Sequence, residues 1–223
     1  MHPVKHLSGK FIVFDGGEGC GKSTQAALLR QDLEAAGLQV LAVHDPGATR
    51  IGELIRAILL NPDNTDMAMR CEMLLYMAAR AQMMHEKIVP ALQAGKVVIS
   101  DRFVSSTLAY QLGGDGLTVD DIKSVAEIAI KSRWPDVTLI LDMPTKKSAQ
   151  RVQPKFLLDF PEDVQAQLTK DRIELRSFEY HEDVRRKYLD QAKRDPQRYR
   201  VINADRPIDG VHEDVLRVLR GLK

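Results

Sequence analysis

Residues 16–23 read Gly-Gly-Glu-Gly-Cys-Gly-Lys-Ser, a complete Gly-x-x-x-x-Gly-Lys-Ser pattern. The apolar run Phe11-Ile12-Val13-Phe14 precedes it and Thr24-Gln25-Ala26-Ala27-Leu28-Leu29 follows, which predicts a strand, a glycine turn and a helix in that order. That order constrains the fold strongly. Strand end and helix start must meet at one tight corner, where the free backbone N–H groups of the helix and the positive end of its dipole converge on an anion. Gly16, Gly17, Gly19 and Gly21 are expected to let the chain curl at φ values that a Cβ disfavours. Gly16, Gly17, Glu18, Gly19, Cys20, Gly21, Lys22, Ser23 and Thr24 therefore form the expected phosphate-binding segment, with Lys22 reaching the β/γ-phosphates and the Ser23 hydroxyl ligating Mg²⁺.

Nothing in the bulk chemistry competes with a local anion site. Lys plus Arg number 32 against 31 Asp plus Glu, so there is no global field to attract nucleic acid. No apolar run approaches the roughly 20 residues that cross a bilayer, and residues 1–6 lack a signal-peptide core. Cys20 and Cys71 make neither a disulfide framework nor paired metal spacing, so a reducing cytoplasmic compartment is expected.

Strands are predicted over Lys10–Asp15, Leu38–His44, Lys96–Asp101, Val137–Asp142 and Tyr199–Asn203, each apolar without polar alternation, as in strands buried on both faces. Helices are predicted over Lys22–Ala36, Ile51–Leu60, Asp66–Ala94, Val119–Lys131, Asp171–Lys193 and Ile208–Leu219. This alternation implies right-handed crossovers and an α/β architecture, a five-stranded parallel sheet with helices on both faces, in one domain over 1–223. Ligands in such sheets bind beyond the carboxyl ends of the strands, where Asp15, Asp45, Asp101, Asp142 and Asn203 fall. Residues 150–169 carry Pro154, Pro161 and an acidic patch with little periodicity; with their flanks, about 145–172, they are expected to form a mobile lid.

A phosphate loop does not by itself separate kinases from switch GTPases or motor ATPases. The chain has no Asn-Lys-x-Asp tetrapeptide to read guanine, and it is short for a large ATPase, which favours a small kinase. In Val97-Val98-Ile99-Ser100-Asp101-Arg102-Phe103, Asp101 can hold the Mg²⁺ water shell and Arg102 can fork onto a phosphate; the alternative is a strand-end salt bridge between the two. Tyr76 and Arg80 lie one helical turn apart on one face, so the pair can stack on a base and donate to its carbonyl; the alternatives are a core aromatic and a solvated arginine.

Further stretches narrow the reading: Phe14-Asp15-Gly16 through Ser23-Thr24-Gln25, Asp45-Pro46-Gly47-Ala48-Thr49-Arg50-Ile51-Gly52-Glu53, Leu74-Leu75-Tyr76-Met77-Ala78-Ala79-Arg80, Asp101-Arg102-Phe103 through Ala109-Tyr110-Gln111, Asp171-Arg172-Ile173-Glu174, and Val184 to Leu189. Together they resemble the thymidylate kinase family from about residue 10 to 220, most weakly over 145–169. The resemblance implies a three-layer P-loop kinase fold, ATP and Mg²⁺ as donor and metal, dTMP as acceptor, and a cytoplasmic homodimer. It further implies that Arg102 grips the acceptor phosphate, Tyr76 stacks on thymine and Arg80 reaches its O4. Ser106 and Gln111 would contact the base edge, Tyr110 would pack on the deoxyribose, Glu18 would receive the 3′-OH, and Pro46 with Thr49 would shape the wall behind the phosphate. Ala204-Asp205-Arg206 resembles the adenine-side loop. Another nucleotide or nucleoside kinase of this fold, or a nucleotide-binding regulator that has lost transfer, is the alternative.

The chain departs from that family's pattern in several places. Asp45 and Ala48 stand where Glu and Gly are usual, and Ala48 is expected to resist positive φ. Cys20, at a helix N-terminus, can have a lowered thiol pKa and be open to peroxide; the alternative is a small packed residue. Gly19 stands where some members have a catalytic arginine, so the lid should supply the charge from Arg151, Lys155, Lys170 or Arg172. Arg151 and Arg172 are favoured, although Arg172 can instead pair with Glu174 or Glu18. Met67, Met69, Met73, Met77, Met83 and Met84 can supply an apolar dimer face or fill the monomer core.

Overall fold

The computed structural model describes residues 4–152 and 171–222. Five strands, β1 (Phe11–Asp15), β2 (Val40–His44), β3 (Val97–Asp101), β4 (Val137–Asp142) and β5 (Tyr199–Asn203), form one sheet in the order β2-β3-β1-β4-β5. Every pairing is parallel, with Phe11 opposite Val98, Ile12 opposite Val137 and Thr138 opposite Tyr199. The three central strands are buried along nearly their whole length, which is why their sequences are continuous apolar runs.

Side-chain alternation divides β1 between two cores. Ile12 and Phe14 join Ile99, Leu139 and Leu141 under α1 (Lys22–Ala35) and α9 (Ile208–Arg220), with Leu29, Leu33, Val211 and Val215 closing that layer. Phe11 and Val13 face the other way, against α3 (Met69–Met83), α5 (Val104–Tyr110) and α6 (Val119–Ile130). Phe11 meets Phe103 edge-to-face with centroids 5.0 Å apart. The expected doubly covered sheet is thus present.

The elements differ from expectation where local chemistry intervenes. The helix expected over Asp66–Ala94 divides into α3, a π-helical turn at Met84–Ile88, and α4 (Val89–Gln93). Pro90 has no N–H for the carbonyl four residues back, and the wider turn absorbs the misfit. The helix expected from Asp171 starts at Phe178 as α8 (Phe178–Arg194), because Ser177 caps it by accepting from the Tyr180 N–H. Within the expected lid, α7 spans Thr145–Val152, while 153–170 lie outside the described residues. Of the methionines proposed for a dimer face, Met73, Met77, Met83 and Met84 are buried in the core under α3 and Met69 packs against it, so those five serve the monomer.

Leu139 is fully buried at the centre of β4. Leu139→Ala should lower the free energy of unfolding by about 2–5 kcal/mol in urea titrations, through lost transfer energy and the cavity left behind.

Candidate functional site

The corner between β1 and α1 has the geometry that its glycines allow. Gly16, Gly19 and Gly21 take φ of 136°, 68° and 96°, while Gly17 does not need a positive φ. At Gly16 a Cβ would come within 2.5 Å of the Leu141 carbonyl oxygen, so the loop lies directly on the end of β4. The Lys22 ammonium folds across the loop and donates to the Gly17 carbonyl at 2.7 Å. The Ser23 hydroxyl donates to Asp101 Oδ2 at 2.7 Å. These are hard oxygen donors from the loop and a strand end. They fit Mg²⁺, which takes one or two protein oxygens and fills its remaining positions with water and phosphate. Among the described residues there is no cluster of three or more His, Cys, Asp or Glu that would compete as a metal cage.

A chamber of about 500 Å³ over the loop is bounded by Lys22, Ser23, Asp101, Arg102 and Arg151. A second, of about 170 Å³, is bounded by Tyr76, Arg80, Tyr110, Gln111 and Pro46. Glu18, Asp45, Arg56 and Arg102 line both, so the two chambers meet at this group.

Arg102 is the hinge of the arrangement. Asp101 ends β3, and the next residue turns at φ 71°, a left-handed conformation costly for a side chain with a Cβ. Its guanidinium is held by the Glu18 carboxylate, the Gly16 carbonyl at 3.1 Å, Ser106 Oγ at 3.1 Å, and the Tyr110 and Tyr188 hydroxyls at 3.2 Å. The alternative pairing between Asp101 and Arg102 does not form; Asp101 goes to Ser23 and Arg102 to Glu18. Burial pushes the Glu18 carboxyl up, but Arg102 and Lys22 outweigh it and hold it down at about 2. Beneath lies Asp15, which accepts from Ser105 Oγ at 2.5 Å, Ser106 Oγ at 2.7 Å and the Tyr188 hydroxyl at 2.5 Å. Tyr188, on α8, had no role in the sequence reading; only its convergence in space reveals one.

The second chamber brings together the other expected acceptor-site residues. Tyr76 is half-buried in its wall, and burial pushes its phenol well up, so it is an uncharged ring and a donor. Arg80 is neither solvated nor free: it donates through Nε to Asp45 Oδ2 at 2.5 Å and through its other nitrogens to Thr107 Oγ1 and the Phe103 carbonyl, both at 3.2 Å. Asp45 is buried, and burial pushes its carboxyl up against the pull of Arg80. Ser106 reaches the chamber wall, yet its hydroxyl is committed to Asp15 and Tyr188, whereas the neighbouring Thr107 hydroxyl meets Arg80. Thr107 and Arg56 were both absent from the sequence reading. Arg56 donates to the Pro46 carbonyl at 2.9 Å, one turn beyond the Asp45–Glu53 motif.

Three expectations need correction. Ala48 does adopt a positive φ, 63°; its N–H is held by Glu53 Oε1 at 2.7 Å, and that carboxylate also meets His44, so the loop imposes the conformation. The Cys20 thiol is not lowered: it is packed against the core, and burial pushes it up despite Lys22. Arg172 does not face the phosphate chamber. Its guanidinium is buried on Glu72 Oε2 at 2.5 Å and the Leu59 carbonyl at 3.1 Å, pairing with neither Glu174 nor Glu18. Arg151, exposed on α7, does line the chamber; Lys155 and Lys170 lie outside the described residues. Beside the expected adenine-side loop, Lys147 of α7 donates to Asp205 at 2.6 Å.

The family model described as thymidylate kinase matches residues 14–215. A thymidylate kinase of Pelotomaculum thermopropionicum is 43% identical over 211 residues, covering 95% of this chain and 93% of its own. One from a Geobacillus species is 40% identical over 205 residues, covering 92% of this chain and 93% of its own. The crystal structure of thymidylate kinase from Ehrlichia chaffeensis superposes with a TM-score of 0.72 at 30% identity, covering 95% of this chain and 98% of that one.

The buried thiol makes a direct prediction. Iodoacetamide at pH 8 should label exposed Cys71 and spare Cys20 in the folded protein, as read by peptide mass spectrometry, and Cys20→Ala should not change peroxide sensitivity.

Proposed function

Because the chain belongs to the thymidylate kinase family, we propose that its transfer chemistry is carried by the residues that converge where the two chambers meet. The reaction moves the γ-phosphoryl of ATP to dTMP, giving ADP and dTDP, with Mg²⁺ as the metal. Both substrates are polyanions, so the task of the site is to place them in line and neutralise their repulsion. The observation that carries the residue assignment is that Arg102 lines both chambers while bonded to the phosphate loop.

In this reading Gly16, Gly17, Glu18, Gly19, Cys20, Gly21, Lys22, Ser23 and Thr24 cradle the ATP phosphates, chiefly through backbone N–H groups, and Lys22 leaves the Gly17 carbonyl for a phosphate oxygen. Ser23 and Asp101 would hold Mg²⁺, which would supply positive charge to screen the donor phosphates. Arg102 and Arg56 grip the acceptor phosphate behind Pro46. Glu18 accepts from the sugar hydroxyl while Arg102 balances its charge, and Tyr110 packs against the sugar. Tyr76 stacks on the base, with Arg80, Thr107 and Gln111 at its edge and Ser106 supporting Arg102 from below. Arg151, brought by α7 to the rim of the phosphate chamber, closes on the transferring group. Arg172 has a structural role.

The assignment is tested with initial rates on dTMP, dUMP, dCMP, dGMP, AMP and thymidine, ATP and Mg²⁺ being constant. dTMP should lead the panel. Arg151→Ala should lower kcat on dTMP by about 10³-fold with little loss of fold stability. Arg172→Ala should do the reverse, lowering stability by about 1.5–3 kcal/mol because Glu72 loses one of its two buried arginine partners while Arg176 remains. An Arg151→Ala enzyme within threefold of the parent would exclude Arg151.

We also propose a cytoplasmic homodimer of this one-domain chain. Among the described residues no helix is long and apolar enough to cross a membrane. Ile51, Leu54 and Ile58 expose 41%, 57% and 47% of their surface along α2 (Arg50–Leu60), and α2 packs on α3, where Leu74 is 52% exposed. This stripe, rather than the methionines, is the apolar face on offer. Sedimentation at micromolar concentration should give twice the 25.1 kDa chain mass, and Leu54→Glu should return it to 25.1 kDa.

A further inference from the structure

Glu72 lies on α3, one turn before Tyr76, and is completely buried. Its two oxygens are used differently. Oε2 accepts from Arg172 Nη2 and Arg176 Nη2, both at 2.5 Å, whereas Oε1 accepts from Gln111 Nε2 at 2.7 Å. Gln111 is itself 1% exposed and lines the acceptor chamber. A carboxylate only accepts, so it compels the amide to turn its NH₂ toward α3. The carbonyl oxygen of Gln111 is then the end presented to the chamber.

We propose that Glu72 is a positioning residue that sets acceptor-base selectivity by fixing the amide of Gln111 with its acceptor end toward the base. The proposal rests on the assignment of Gln111 to the base edge. A thymine ring offers a donor, N3–H, beside its O4 acceptor. Gln111 Oε1 matches the former and an arginine N–H of Arg80 the latter. Cytosine reverses both, with an unprotonated N3 and a 4-amino group, so it would set acceptor against acceptor and donor against donor. Sites built to pair a polar group reject the mismatched analogue far more strongly than apolar pockets reject a methylene. Without Glu72 the Gln111 amide, whose two ends have nearly the same shape, would be free to turn over and present NH₂ instead.

Glu72→Gln tests this with a minimal change of volume. The two arginines can donate only to an oxygen, so they would hold the new carbonyl at the Oε2 position and place the new NH₂ against Gln111. Gln111 would then offer its own oxygen to residue 72 and its NH₂ to the base. The ratio of kcat/KM for dTMP to that for dCMP should fall at least tenfold, with the loss on dTMP exceeding any loss on dCMP. Glu72→Asp, which keeps a pure acceptor, should restore part of the ratio. Arg172→Ala, which leaves Oε1 and Gln111 in contact, should keep the ratio within twofold even though stability falls. If Glu72→Gln lowers both acceptors equally, Glu72 is only structural and the proposal fails. If Gln111→Ala leaves the ratio unchanged, the assignment of Gln111 fails and the proposal falls with it; a collapsed ratio in Gln111→Ala beside an unchanged one in Glu72→Gln sinks the proposal alone. A crystal structure of the parent enzyme with dTMP provides a test independent of variant folding: Gln111 should bridge Glu72 and base N3, and an amide more than 3.5 Å from N3 overturns the inference.

Discussion

The site depends on one enclosed cation. Arg102 follows the end of β3 in a backbone conformation that a non-glycine residue adopts only when its surroundings enforce it. The enforcement is visible: the phosphate loop, α5 and α8 each contribute oxygens to its guanidinium. Two unit charges about 4 Å apart at an effective dielectric near 20 interact by about 4 kcal/mol, so two phosphate chains cannot be brought into line unless cations are already in place. Arg102 is placed by the scaffold rather than recruited by the substrate. The same contact explains how Glu18 can stand inside a phosphate-binding loop. Its charge is offset by Arg102 and Lys22 strongly enough to hold its carboxyl at about 2, so it remains an acceptor for a hydroxyl instead of simply repelling phosphate.

Much of this framework was legible in the amino-acid order, for a physical reason. Strands covered on both faces need uninterrupted apolar residues, so β1, β3 and β4 stood out, and their polar terminal residues marked the rim where the ligand must bind. The phosphate loop was legible because its backbone demands glycine at Gly16, Gly19 and Gly21. Short elements were not. The helix Val104–Tyr110 has only seven residues, too few for a periodic signal against its serines and threonine. Arg56, Thr107 and Tyr188 were missed because their importance lies in who meets them across the fold. Arg172 misled for the same reason: an arginine beside a lid segment reads as a catalytic group, yet its guanidinium turns inward to a carboxylate a hundred residues earlier in the chain. The thiol of Cys20 illustrates competition between two effects. A helix N-terminus lowers a thiol pKa, but burial in the apolar cluster under α1 raises it, and at this position burial prevails.

Two buried carboxylates, Asp45 in the wall of the second chamber and Glu72 behind Gln111, show how the chain turns flexible polar groups into fixed ones. Burying an ion pair gains little net stability, since desolvation offsets the attraction. Orientation is what such pairs supply here. Arginine carries five N–H donors. In Arg80, Nε is taken by Asp45, Nη1 by Met77 Sδ and Thr107 Oγ1, and one proton of Nη2 by the Phe103 carbonyl. By that count a single N–H remains free, so Arg80 can offer the chamber one aimed donor and not a bidentate fork. Gln111, with its NH₂ spent on Glu72, likewise retains one aimed acceptor. One side of the chamber therefore carries one donor and one acceptor, each held by its own buried carboxylate. Turning Arg80 would leave Asp45 without its arginine in a dry interior, and turning Gln111 would cost Glu72 Oε1 its partner while Oε2 keeps its two arginines; that penalty is the physical source of the discrimination proposed above.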